Sequence, residues 1–321
     1  MKIAILDRCT VTRGDVDLNL FGNLGEVRIY DVVPAERLVQ TIADAEAVIC
    51  NKAKFTAQVM AQCPKLKYIG LFATGYDNID IAEAGRRGIA VCNAPGYSTM
   101  SVAQHTFSLL LNLASNTIAY DASVREGDWI RSHTFTYLNF PIVEIAGKTL
   151  GIVGYGAIGR AVAEIGRAFG MLPLINTRTK PENCPFPLVS FSKLLEESDF
   201  ITLHCPLTEQ TRHMIDSGAL SKMKKTAYLI NTSRGGVIDE NALAEALRNG
   251  RIAGAGIDVL AAEPMQSGHP YATAPNCIIT PHIAWASAEA RKRLVRIVYE
   301  NLEAFLRGAP IHNVARKDSV K

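Results

Sequence analysis

Short apolar runs recur along this chain, with amphipathic stretches between them. In the first hundred residues the strand candidates are Ile3–Leu6, Glu26–Tyr30, Ala47–Cys50, Tyr68–Leu71 and Ile89–Cys92. Each is the length of a strand buried on both faces. The stretches Ala35–Ala43, Thr56–Gln62 and Ile81–Arg87 read as helices. This alternation predicts a parallel sheet with helices on both faces. The rhythm resumes at Thr149–Val153 and continues through Leu172–Asn176, Phe200–Leu203, Ala227–Asn231, Gly254–Val259 and Ile278–Thr280, with helices such as Phe191–Glu197 and Glu240–Asn249 between them. A last helix, Ser287–Leu306, is expected to return to the first domain or brace the junction. The polar tail after Val314 reads as frayed.

Between the two series the pattern changes. Ser101–Glu126 reads as one long apolar helix with no strand after it, and residues 129–145 lack periodicity while carrying Phe135, Tyr137, Leu138 and Phe140. A monomer gains little by exposing such a stretch, so residues of about 101–146 are expected to form an arm that packs on a second copy in a homodimer. The predicted division is 1–100 plus 286–321 as one domain and 101–285 as the other.

The second series opens on TLGIVGYGAIGRAVAEIGRAFG. A strand ends in Gly154, Gly156 and Gly159, spaced G-x-G-x-x-G, and a helix over Ala157–Phe169 follows, with Ile158, Ala161, Val162, Ile165 and Phe169 on one face. This is the context the dinucleotide fingerprint requires. Gly154 permits the tight turn, Gly156 lets the backbone approach a pyrophosphate, and Gly159 lets helix pack on strand. The helix N-terminus presents N–H groups to the phosphates. No such fingerprint follows the first strand, so the first domain is assigned to the substrate and the second to the cofactor.

Composition narrows the class. The chain has 321 residues, 48% of them hydrophobic, and a net charge of +3 with no basic stripe, which argues against nucleic acid as a partner. Its 7 cysteines show no C-x-x-C and no zinc-type spacing with histidine, so no metal is expected and a reducing compartment is. MKIAILD begins a strand and lacks a signal-peptide pattern. No apolar run approaches the roughly 20 residues that span a bilayer. The expectation is a soluble cytoplasmic enzyme.

Three polar residues follow strands of the second domain, where open α/β sheets bind ligands. Arg234 lies in NTSRGG, Glu263 in DVLAAEP and His282 in TPHIAW. Alone, each reads equally as a surface cation, a loop carboxylate and a structural imidazole. Together they suit a 2-oxo acid. An arginine grips a carboxylate in a fork and polarises the neighbouring carbonyl. A histidine donates a proton as hydride arrives, and a carboxylate orients the imidazole and favours its charged form. In the first domain, ATGYDNID follows an apolar strand, and its backbone N–H groups form a candidate anion nest. The loop Asn93–Thr99, punctuated by Pro95 and Gly96, marks the crossover between domains.

These segments carry a resemblance. NTSRGG, DV…EP and TPHIAW behind GYGAIG resemble the D-isomer specific 2-hydroxyacid dehydrogenases over nearly the whole chain. ATGYDNID, NAPGYSTMSVAQH and GKTLGIVGYGAIGR resemble the glycerate dehydrogenase/hydroxypyruvate reductase branch. The resemblance implies an α/β fold of two doubly wound parallel-sheet domains, a Rossmann cofactor domain inserted into a flavodoxin-like substrate domain. It implies catalytic roles for Arg234, Glu263 and His282, and substrate-carboxylate contacts from the backbone of Thr74 and Gly75 together with Arg234. It implies cofactor contacts at Ala157, Ile158, Cys205, Pro206, Thr211, Thr232, Ser233 and Asp258, the last at the nicotinamide carboxamide, and dimers formed through the fingerprint domain. Leu71, Phe72, Tyr76 and Trp285 are the candidates to shape the substrate pocket.

Three departures matter. Gln104 stands where many relatives have glutamate, the chain ends soon after its last helix without the regulatory domain of many phosphoglycerate dehydrogenases, and Glu263 stands where formate dehydrogenases have glutamine. The expected reaction is reduction of a 2-oxo acid of the hydroxypyruvate or glyoxylate type, and the reverse oxidation. The alternative is a nucleotide-sensing binding protein like the C-terminal-binding-protein corepressors, which share the fold and carry extra tails. At the end of the second strand of the cofactor domain, where an acidic residue selects NAD, this chain has Asn176, followed by Thr177, Arg178 and Thr179. The neutral amide and the nearby arginine suit the extra phosphate of NADP(H), so NADP(H) is expected to be preferred, with NAD(H) possible.

Overall fold

The structure is a computed structural model and describes residues 1–315. The polar tail foreseen after Val314 therefore falls, from residue 316 on, outside the described residues. Two compact units emerge, one of Met1–Ser98 with the chain from Ala286 onward, the other of Thr99–Trp285.

The first unit runs β1 (Lys2–Ile5), β2 (Glu26–Ile29), α1 (Leu38–Ile42), β3 (Ala47–Cys50), α2 (Ala57–Ala61), β4 (Tyr68–Leu71), α3 (Ile81–Arg86) and β5 (Ala90–Cys92). Its sheet has the order β2-β1-β3-β4-β5, with every pair parallel. That order is the flavodoxin-like one. The central strands are apolar throughout because helices cover both of their faces: all four residues of β3 and of β4 are buried. Side-chain caps start two of the helices, Thr56 Oγ1 accepting from Val59 N–H and an Asp80 oxygen from Glu83 N–H. The expected helix 35–43 is shorter, a 3-10 turn at Ala35–Arg37 leading into α1.

The second unit begins with α4 (Thr99–Ser115) and α5 (Thr117–Arg125). The single long helix read from the sequence is thus two. Asn116 breaks it by adopting a left-handed φ of 50°, a conformation that asparagine tolerates, and its amide donates to Pro141 O at 2.6 Å. Then follow β6 (Thr149–Val153), α6 (Ala157–Ala168), β7 (Leu172–Asn176), α7 (Phe191–Glu197), β8 (Phe200–Leu203), α8 (Ser217–Lys222), β9 (Tyr228–Asn231), α9 (Glu240–Arg248), β10 (Gly254–Ile257) and β11 (Cys277–Ile279). The sheet is parallel with the order β11-β10-β9-β8-β6-β7. Beyond the fingerprint strand β6 lie β7 and then a single parallel bridge from Ile175 to Leu188, where the usual Rossmann order has two full strands. The order still reverses between β6 and β8, and ligands bind at such a switch point.

The buried stripe of α6 is Gly159, Val162, Ala163 and Gly166. It is rotated toward the glycines relative to the face read from the sequence, because the helix approaches β6 where side chains are smallest. Phe169 stays 45% exposed and stacks on Phe107 at 5.6 Å. After β11, α10 (Ala288–Leu306) returns to the first unit and packs on β4 and β5, its Phe305 ring 5.0 Å from that of Tyr68.

Candidate active site

At the end of β6, Gly154 adopts a φ of 97°, and a Cβ there would lie 2.6 Å from the carbonyl oxygen of His204. A Cβ on Gly159 would run into the carbonyl of Gly154, so the helix approach needs glycine at both positions. Gly156 differs, since its missing Cβ faces open space with nothing within 4 Å. It is the N-cap of α6 and offers no side-chain cap, whereas Ser190, Asp216, Asp239 and Ser287 cap α7, α8, α9 and α10. The first-turn N–H groups, which begin at Ala157 and Ile158, are thereby left for another acceptor. An uncapped helix start with a glycine cradle fits the pyrophosphate of a dinucleotide.

At the end of β7, Asn176 accepts through its backbone from Gly154 N–H at 2.8 Å and donates its side-chain amide to Val189 O at 3.0 Å. Its side-chain carbonyl remains available as an uncharged acceptor. Thr177 is half-buried, and Arg178 and Thr179 are exposed. On the other side of the switch point, the loop 205–211 is tied by Thr211 Oγ1, which donates to Pro206 O and accepts from Thr208 N–H, both at 2.7 Å. Burial raises the Cys205 thiol pKa, so this residue is a neutral neighbour.

Beyond β9, the buried Asn231 shapes the arginine turn. Its Oδ1 accepts from Ser233 N–H and Oγ–H, and its Nδ2 donates to Arg234 O at 3.0 Å. The Arg234 guanidinium donates to Ser233 O at 2.8 Å. Thr232 shares a hydrogen bond with Thr106 at 3.0 Å. Gly235 packs against the backbone of Leu260 and Ala261 so closely that a Cβ would collide with it. The arginine turn is thereby joined to the loop that carries Glu263.

Glu263 and His282 meet. His282 Nδ1 lies 2.7 Å from Glu263 Oε2, and Glu263 Oε1 accepts from Leu260 N–H at 3.0 Å. With Nδ1–H donating to the carboxylate, Nε2 is the ring nitrogen turned away from Glu263. His282 has a φ of 55°, in the left-handed region, a strained choice often met at functional sites. Its N–H donates to Asp258 O at 2.8 Å. The buried Asp258 carboxylate organises the rest of this turn. Oδ1 accepts from Thr280 Oγ–H at 2.6 Å and Ile283 N–H at 2.9 Å, and Oδ2 from Ala284 N–H at 2.9 Å. Because the Thr280 hydroxyl donates to Asp258, it accepts from His105 Nε2–H at 2.9 Å. Thr280 and His105 were not singled out in the sequence, and a threonine beside the Pro-His pair was the only sign of the first. Trp285 continues the segment and is half-buried.

In the first unit, the loop after β4 is tied to the loop after β5. Thr74 Oγ–H donates to Ala94 O, and Asn93 Nδ2 donates to Thr74 O, both at 2.7 Å. Among the described residues the N–H groups of Thr74 and Gly75 have no protein acceptor. Leu71 and Phe72 are core residues and not pocket walls: both are buried, and Phe72 meets Phe21 edge-on at 6.3 Å. Tyr76 is exposed. Sequence reading passed over Asp7, whose buried carboxylate fixes the loop after β3 by accepting from Asn51 and Lys52 N–H, while burial pushes its pKa up against those bonds.

The segment after α5 is internally tied. Trp129 Nε1 donates to Phe135 O at 3.0 Å, Tyr120 Oη to Phe140 O at 2.8 Å, and Tyr137 Oη to Ser123 Oγ at 3.0 Å. Ile130, Phe135 and Leu138 nevertheless project outward, 88%, 90% and 78% exposed. Among the described residues no group of three or more His, Cys, Asp or Glu is placed to hold a metal, and no helix is long and apolar enough to cross a membrane.

Residues 107–284 match the family model described as D-isomer specific 2-hydroxyacid dehydrogenase, NAD binding domain. The chain is 39% identical to a hydroxypyruvate reductase of Blautia hydrogenotrophica, over 99% of this chain and 100% of the relative. It is 41% identical to a glycerate dehydrogenase of Methylorubrum extorquens, over 96% and 97% of the two chains. Among solved structures it resembles an NADPH-dependent glyoxylate/hydroxypyruvate reductase of Sinorhizobium meliloti in complex with NADP and malonate, with a TM-score of 0.84 and 30% identity, covering 98% of this chain and 97% of the other.

Proposed function

The chain belongs to the D-isomer specific 2-hydroxyacid dehydrogenase family, and from that premise we propose that it reduces a small 2-oxo acid of the hydroxypyruvate or glyoxylate type to the D-2-hydroxy acid, with NADPH as the preferred reductant. It is an oxidoreductase with a nicotinamide-dinucleotide-binding domain. The observation that carries the reading is the His282 Nδ1–Glu263 Oε2 bond of 2.7 Å on the segments that follow β11 and β10.

When bound, the nicotinamide supplies hydride to the carbonyl carbon. Arg234 binds the substrate carboxylate as a two-pronged donor, and its charge draws electron density from the adjacent carbonyl. Thr74 and Gly75 offer backbone N–H groups to an anion. His282 gives its Nε2 proton to the carbonyl oxygen as that oxygen gains charge, and Glu263 holds the imidazole in place for this step. In the reverse direction neutral His282 takes the hydroxyl proton. Gly154, Gly156, Ala157, Ile158 and Gly159 hold the pyrophosphate. Cys205, Pro206, Thr211, Thr232 and Ser233 would contact the rest of the cofactor, and Asp258 would meet the nicotinamide carboxamide. The test is loss of reduced-cofactor absorbance over a panel of 2-oxo acids. A panel without turnover, hydroxypyruvate and glyoxylate included, refutes the reading.

The cofactor preference rests on Asn176 and Arg178. An aspartate at 176 would repel a 2′-phosphate of charge roughly −1.5 to −2, and asparagine does not. Arg178 supplies the opposite charge, with Thr177 and Thr179 beside it as hydroxyl donors. Arg178→Ala is expected to lower kcat/KM with NADPH on the order of 10-fold or more and to leave NADH nearly unaffected. Unchanged NADPH efficiency in the variant, or a wild-type preference for NADH, defeats the assignment.

The same reading includes a homodimer through the arm. Burying each of the projecting side chains is worth about 1.5–3 kcal/mol. Ile130→Asp with Phe135→Asp is expected to give a monomer by light scattering. These positions serve better than Tyr137, whose hydroxyl is bonded within its own chain. Wild type that scatters as a monomer at micromolar concentration rules the dimer out.

A further inference from the structure

Behind the Glu263–His282 pair lies a second carboxylate–imidazole pair. Glu240 is the first residue of α9, and the cap of that helix is supplied by Asp239, which accepts from Asn241 and Ala242 N–H. The Glu240 carboxylate is therefore not needed as a cap and turns to other partners. Its Oε1 accepts from Ala261 N–H at 2.8 Å, and its Oε2 lies 3.2 Å from His269 Nε2. His269 Nδ1 accepts from Tyr271 N–H at 3.3 Å, so the proton of the neutral imidazole sits on Nε2 and is donated to Glu240. Both side chains are largely enclosed, 9% exposed for His269 and 18% for Glu240.

The loop held in this way is the one that carries Glu263. Its consecutive N–H groups are both spoken for, Leu260 by Glu263 itself and Ala261 by Glu240. The same two residues form the backbone against which Gly235 packs, next to Arg234. Glu240 thus grips the point where the arginine turn and the Glu263 loop touch. We propose that Glu240, oriented by His269, is a positioning residue that sets the Glu263 carboxylate against His282 Nδ1. This rests on the reading that Glu263 and His282 carry the proton transfer.

The experiment compares Glu240→Ala, Glu240→Gln, His269→Ala and Glu263→Gln in the reduction of hydroxypyruvate. It follows kcat and KM across pH, and NADPH affinity by fluorescence titration without substrate. Glu240→Ala is expected to lower kcat on the order of 10-fold and to move the basic limb of kcat to lower pH, in the direction that Glu263→Gln moves it. NADPH affinity should stay within about twofold, because only the proton-transfer pair is displaced. Glu240→Gln keeps an acceptor for Ala261 N–H and should recover most of the rate, and His269→Ala should give a smaller shift of the same sign. If Glu240→Ala fails to fold, His269→Ala is read in its place, with Glu240→Gln as the control expected to stay near wild type. An unchanged kcat, or a fall in kcat with an unmoved limb, overturns the proposal. A limb that moves in Glu263→Gln but in no Glu240 or His269 variant defeats this inference alone. A limb unmoved in Glu263→Gln as well defeats the reading beneath it, and the inference with it.

Discussion

His282→Ala is expected to lower kcat for 2-oxo acid reduction by about 10²- to 10⁴-fold, the usual worth of a positioned general acid. The substitution removes the imidazole bonded to Glu263, at 2.7 Å, and with it the donor at Nε2. Reduced-cofactor affinity should be retained, because the glycine turn at Gly154–Gly159 belongs to the fingerprint strand and helix and, among the described residues, shares no hydrogen bond with His282. The left-handed φ of 55° is a cost that alanine bears worse than histidine, so a thermal melt of the variant belongs beside the kinetics. Turnover at saturating substrate equal to wild type, in a variant that melts normally, removes His282 from the chemistry.

Arg234→Lys is expected to lower kcat/KM on the order of 10- to 100-fold, with most of the effect in KM. An ammonium keeps the charge but is a point donor, so it cannot grip both carboxylate oxygens in a plane. It also loses the bond from the guanidinium to Ser233 O that holds the side chain in its turn. A smaller fall in kcat accompanies the rise in KM, to the extent that the guanidinium polarises the carbonyl. Kinetics equal to wild type place the substrate carboxylate elsewhere. A loss confined to kcat, with KM unchanged, argues that Arg234 acts on the carbonyl alone.

The central strands were legible because they are buried on both faces and read as unbroken apolar runs, as β3, β4 and β8 do. The runs at Ala47–Cys50, Tyr68–Leu71, Thr149–Val153, Leu172–Asn176 and Phe200–Leu203 coincide with β3, β4, β6, β7 and β8. Helix ends depend on single residues, and there the reading strayed. Asn116 looked like an ordinary polar position in a long helix, yet its left-handed backbone divides α4 from α5. Leu71 and Phe72 looked like pocket walls because they precede the ATGYDNID loop, yet both lie in the core. Neither fact has a sign in local periodicity, since apolar residues at a strand end serve core and pocket alike.

For the candidate site, residue types and their places after strands were open to reading, and contacts between distant segments were not. The G-x-G-x-x-G spacing was legible on its own as a tight strand-to-helix turn, because that constraint is local: a Cβ at Gly154 or Gly159 would collide with neighbouring backbone. The polar residues after β9, β10 and β11 were also visible, because open parallel sheets gather chemistry at their strand ends. The rest joins segments that sequence spacing cannot relate. Glu263 bonds to a histidine 19 positions on, Glu240 grips an amide 21 positions away, and His105 reaches a threonine 175 positions distant. Such bonds exist only once the sheet has brought its strand ends side by side. The sequence determined the alternation of strands and helices and the glycine turn after β6, through burial and through glycine. The packing of the parallel sheet decided which carboxylate meets which imidazole, because a hydrogen bond of 2.7 Å is set by where two loops meet in space and not by their order along the chain.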